Sequence, residues 1–134
     1  MSYLSDLIDN PSPRCACILV LDTSGSMSGD PINQLNSGVH EFISSVQKDD
    51  LAKYSVELAI LTAGMSIEEV RPFTIAKNID YNSHFEANGL TPLGGAVEQA
   101  LRMLEERKEK YRQTGTPYYQ PWLVLISDGA PTDH

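Results

Sequence analysis

Two stretches of uninterrupted apolar sequence, residues 15–21 (CACILVL) and 122–126 (WLVLI), each run into a polar loop carrying an aspartate, Asp22 in the first case and Asp128 in the second. A strand with one wet face alternates apolar and polar residues, whereas a strand covered on both faces is apolar throughout. Both stretches therefore require a sheet with helices on each side. Two amphipathic patterns supply them. Pro31 suits a first helical turn, and Ile32, Leu35, Val39, Phe42, Ile43 and Val46 follow at helical spacing to about Lys48. Leu93, Ala96, Val97, Ala100, Leu101, Leu104 and Tyr111 repeat the pattern to near Gln113, before Gly115, Pro117 and Pro121 break it.

Between these helices, residues 54–62 and 67–75 read as strands joined at Ala63, Gly64 and Met65, short enough for a hairpin-like reversal. The second is the more polar and belongs at the sheet edge. Residues 77–90 are expected as loop and residues 1–14, with Pro11 and Pro13, as an irregular or loosely helical lead-in to a domain over residues 15–134. The fold class is α/β, a Rossmann-like, open, mostly parallel sheet with helices on both faces. In such sheets ligands sit at the carboxyl ends of strands. Asp22 and Asp128 both fall there.

The charge balance narrows the function. With 10 Lys plus Arg against 18 Asp plus Glu, the formal charge is −8, which speaks against nucleic acid. The only dense basic run, residues 107–112, is interleaved with Glu105, Glu106 and Glu109 and reads as a solvated helix face. The longest apolar run near the N-terminus has seven residues with acidic neighbours, so neither a signal peptide nor a membrane span is expected. Cys15 and Cys17, two apart, are hard to bridge and lack further metal ligands nearby, so reduced thiols and a cytoplasmic protein are the expectation.

The chemistry concentrates at Asp22-x-Ser24-x-Ser26, one carboxylate and two hydroxyls within five residues, where Gly25 permits a tight turn. Asp128 adds a second carboxylate, and Thr91 a third hydroxyl just before a helix. All are hard oxygen donors, which favours Mg²⁺ or Mn²⁺ over zinc. The competing readings are a Ser/Gly turn that caps the following helix, and a Thr91 that merely caps the helix begun by Pro92. Enzyme motifs do not fit. Residues 25–29 carry Met27 where a nucleophile elbow has its serine, and no glycine-rich phosphate loop with its lysine is present.

Asp22-x-Ser24-x-Ser26, with Thr91 and Asp128 downstream in that order, resembles the metal-ion-dependent adhesion site of von Willebrand factor type A domains. Residues 24–31, 89–96 and 127–133 further resemble the bacterial TerY-like branch associated with tellurium resistance. The resemblance implies that Ser24, Ser26 and Thr91 are direct or exchangeable ligands. It implies that Asp22 and Asp128 bind directly or through water, and that a partner's acidic side chain completes the shell. The expected function is a metal-dependent protein-interaction module. A metal-assisted hydrolase using Asp22 or Asp128, or a scaffold with an empty site, stays open as an alternative.

The resembled fold orders its strands 3-2-1-4-5-6, and this sequence stops just past its fourth strand. The expectation is that two further strand and helix units are missing and that residues 122–126 form an apolar edge. Such an edge invites dimerisation or exchange of elements between copies.

Overall fold

A computed structural model describes residues 12–81, 84–89 and 93–127. Four strands form one sheet in the order β3-β2-β1-β4, where β1 is Cys15–Asp22, β2 is Val56–Ala63, β3 is Ile67–Ile75 and β4 is Trp122–Ile126. β1 pairs in parallel with β2, from Cys15 opposite Val56 to Asp22 opposite Ala63, and with β4, from Cys17 opposite Trp122 to Leu21 opposite Ile126. β2 and β3 are antiparallel across the Gly64 turn. β3 is the polar edge, as the sequence implies.

Two long helices cover the sheet, α1 at Asp30–Lys48 and α3 at Leu93–Thr114, with a single turn, α2, at Ala52–Ser55. Side chains of β1 alternate between two cores. Ala16, Ile18 and Val20 pack with Ala96, Ala100, Leu104 and Tyr111 of α3. Cys17, Leu19 and Leu21 pack with Ile32, Leu35, Val39 and Ile43 of α1. Such double coverage is why residues 15–21 carry no polar side chain. No helix among the described residues is long and apolar enough to cross a membrane.

Three expectations change. Tyr54 and Ser55 belong to α2, so β2 starts at Val56; Asp49 Oδ1 accepts the Leu51 and Ala52 amides, each at 2.9 Å, and that cap holds the turn. Phe42 and Leu101 are exposed although they share the apolar spacing of α1 and α3. The third is Arg107, which is buried and not part of a solvated face. It lies on the same stripe as Ala100, Leu104 and Tyr111, at helical spacing.

That stripe meets a fully buried carboxylate, Glu57 of β2. Arg14 Nη1 donates to Glu57 Oε2 at 2.6 Å, and Arg107 Nε donates to Oε1 at 2.8 Å. The Tyr111 hydroxyl also donates to Oε1. Two cations and a phenol thus satisfy one buried anion, the condition under which a buried charge is tolerated. Burial and the neighbouring carboxylate hold the Tyr111 phenol well above its usual range. Burial works against the Arg107 charge, but the Glu57 carboxylate outweighs it and raises the guanidinium's pKa. Arg14, the last residue of the expected lead-in, is fully buried here and forms a lone parallel bridge with Tyr118; residues 1–11 lie outside the described residues. The network clamps the ends of β1, β2 and α3 opposite the loop that follows Asp22.

β4 pairs with β1 alone among the described residues, and Trp122 and Leu125 are 63% and 46% exposed.

Candidate functional site

β1 ends at Asp22, where its parallel pairing with β2 stops one residue after its pairing with β4, and the chain turns through a single 3-10 turn at Gly25–Met27 before α1. The turn is anchored from below by Met27, 1% exposed, in the core that α1 covers. The carboxylate is buried, with Asp22 3% exposed, and its oxygens are engaged on both sides. Oδ1 accepts the Ser24 amide at 3.0 Å and the Ser24 hydroxyl at 2.7 Å. The Ser24 and Ser26 hydroxyl oxygens are 2.9 Å apart. From β4's end, the Ser127 hydroxyl donates to Asp22 Oδ2 at 3.0 Å.

Asp22, Ser24 and Ser26 are therefore together, as the spacing predicts. Thr91 and Asp128 lie outside the described residues. Their described neighbours reach the same loop: the Gly25 amide donates to Gly89 O at 2.8 Å, and Ser127 holds Asp22 as above. Gly89 has φ 81° and an added Cβ would stand 2.7 Å from Met65 backbone atoms, so this close approach requires glycine.

Sequence reasoning missed three contributors. Ser127 is the first: it follows Ile126, the partner of Leu21, and so stands beside Asp22. Asn36 of α1 secures the 84–89 segment through a reciprocal pair, its Nδ2 donating to Phe85 O at 2.8 Å and its Oδ1 accepting the Phe85 amide at 2.7 Å. The only signal was a polar side chain one residue from Leu35 on the buried stripe. Finally, the Asn88 amide donates to Thr23 O at 2.7 Å, which ties that segment to the loop after β1.

The gathered donors are oxygens of one carboxylate and of hydroxyls, and among the described residues no group of three or more His, Cys, Asp or Glu side chains could hold a metal. A cation here would depend on hydroxyls, which suits a hard divalent ion and excludes a zinc-type donor set. Oxygens bound side by side at the 2.0–2.1 Å Mg²⁺–oxygen distance lie about 2.9 Å apart. The Ser24 and Ser26 hydroxyl oxygens, hydrogen-bonded to each other at 2.9 Å, have a separation compatible with that spacing.

The profile of the von Willebrand factor type A domain matches residues 17–130. The chain is 26% identical over 119 residues to the human inter-alpha-trypsin inhibitor heavy chain H6, a match that covers 86% of this chain and 9% of that protein. Among solved structures it is similar to the three N-terminal domains of the type V pili tip protein Mfa5 from Porphyromonas gingivalis, with TM-score 0.61 and 18% identity over 88% of this chain and 20% of that one. The chain thus spans only about a tenth and a fifth of the lengths of these two similar proteins.

Proposed function

The chain belongs to the von Willebrand factor type A domain family, generally a module of adhesion and protein interaction, and from that premise we propose that it recruits a protein partner through a divalent metal site at the end of β1. The observation that carries the reading is the run of oxygens from Asp22 through Ser24 to Ser26, joined by Ser127 from β4. Asp22, Ser24 and Ser26 would hold Mg²⁺ or Mn²⁺, with Thr91 and Asp128 as the further ligands that the family resemblance implies. The bound ion supplies a coordination position that an Asp or Glu carboxylate of the partner fills.

Each residue of the loop has its own task. Asp22 is buried at the end of a paired strand and keeps a fixed orientation because donors engage both of its oxygens. Ser24 and Ser26 contribute neutral oxygens, which leave the ion's charge incompletely balanced and open to an incoming anion. A chain with a formal charge of −8 can in this way attract an acidic partner. Resemblance of residues 24–31, 89–96 and 127–133 to the TerY-like branch supports a cytoplasmic role in tellurium resistance or a related stress response.

A pull-down from source cells with Mg²⁺ or with chelator tests the proposal, with titration calorimetry for Mg²⁺ and Mn²⁺ alongside. Capture should require metal, and calorimetry should show one binding event that Ser24→Ala removes. Capture that is indifferent to chelator would overturn it.

A further inference from the structure

Beside the loop that follows β1 lies a second feature, a cavity of about 310 Å³ between that loop, the β2–β3 turn and the 84–89 segment. Thr23 connects the two features. Asp22 and Ser24 face the oxygen cluster, and Thr23, between them, lines the cavity. Thr23 and Thr62 are 8% and 7% exposed, both border the cavity, and neither hydroxyl hydrogen-bonds to another described residue. The two side chains are more than nine-tenths buried and their hydroxyls are open to the cavity, where a polar occupant can reach them. Gly64 keeps the opening clear, since an added Cβ would stand 2.7 Å from Thr23 Oγ1. Glu68, Glu86 and His84 line the cavity, and among the described residues neither Lys nor Arg does.

This charge pattern opposes the acidic group that the adjacent site is proposed to receive, because two carboxylates beside it repel a partner carrying only negative charge. We infer that the cavity takes a Lys or Arg side chain of the partner, carried a short distance from the carboxylate that reaches the metal site. The partner's motif is therefore an acidic and a basic residue together. Glu68, Glu86 and the two threonine hydroxyls accept the cation's N–H groups, and the exposed Met65 side chain covers its aliphatic stem. Because the two features begin on consecutive residues of this chain, the partner's two side chains sit about two to four residues apart. The inference rests on the metal-dependent reading above.

A phage-displayed random peptide library, selected on the immobilised protein in Mg²⁺ and eluted with chelator, tests it. Recovered peptides should carry Asp or Glu with Lys or Arg at that spacing. The synthesised peptides should bind the Glu68→Gln/Glu86→Gln variant more weakly, by about two- to fivefold for each carboxylate removed. Replacing the peptide's basic residue by Ala should abolish that difference, and Glu41→Gln/Glu98→Gln, an equal charge change on α1 and α3 away from the cavity, should not reproduce it. Acidic peptides without a nearby basic residue, or peptides indifferent to the double variant, would overturn the inference and leave the metal-dependent reading standing. Failure to recover any acidic, chelator-released peptide would overturn both.

Discussion

Replacing Asp22 by Asn separates the metal reading from the fold, because the amide keeps the shape of the carboxylate and most of its partners. The retained oxygen can accept from the Ser24 amide and hydroxyl, as Oδ1 does at 3.0 and 2.7 Å. The amide nitrogen would face the Ser127 hydroxyl, now 3.0 Å from Oδ2, and that hydroxyl can turn from donor to acceptor. What is lost is the charge-assisted part of three bonds, against which stands relief of a nearly buried anion. Metal-free stability should therefore change by only about 1 kcal/mol. The response to metal should differ far more. At a Mg²⁺ concentration 100-fold above its Kd, binding to the folded state alone adds about 2.7 kcal/mol to the wild type. At roughly 2.1 cal/mol/K of unfolding entropy per residue, and with 134 residues, that is a Tm increase of about 10 °C. Asp22→Asn should show none of it. Paired thermal and urea unfolding with and without Mg²⁺ measures both quantities. An equal Mg²⁺ shift in the variant and the wild type would refute the assignment of Asp22 as a ligand.

Three further outcomes follow from other parts of the molecule. Glu57→Ala leaves buried Arg14, Arg107 and Tyr111 without their anion and should lower unfolding free energy by about 3–5 kcal/mol; a urea unfolding free energy within about 1 kcal/mol of wild type at unchanged slope would contradict the network's role. Burial, with a smaller contribution from Cys15, pushes the Cys17 thiol up to about 12 from an ordinary value of 9.0. The unfolded chain then releases that proton first, so stability should hold below about pH 9 and fall as pH rises toward 12. Cys17→Ala should fall less steeply, and parallel pH profiles would refute this. With Trp122 and Leu125 exposed on β4, the 134-residue chain should self-associate; a single monomer mass in sedimentation equilibrium up to high micromolar concentration would exclude it.

Much of the architecture was legible because burial on two faces leaves an unmistakable trace. Residues 15–21 show no alternation since α1 and α3 cover opposite sides of β1, and the strand order β3-β2-β1-β4 is the one the family resemblance implies. The β2 boundary was less legible. Tyr54 favours a strand by residue type, yet Asp49 accepts two amides from the following turn and draws Tyr54 and Ser55 into a helix. At the site, Asp22, Ser24 and Ser26 could be found from spacing alone, because all three belong to one turn.

By itself, then, the sequence determined the layers, the strand that ends in Asp22 and the local oxygen cluster, since each follows from periodicity or from neighbours a few residues apart. Tertiary structure alone decided who meets across the chain. Arg107 looked like one more charge on a solvated helix, and only the packing of α3 on β2 sets it against Glu57, 50 residues away. Ser127 reaches Asp22 across 105 residues because β4 ends beside β1, and Thr23 faces the cavity because the 84–89 segment folds back onto its carbonyl. Local periodicity records only whether a position is covered. The identity of the covering group is fixed when strands and helices close long loops against one another, and that information resides in no single stretch of residues.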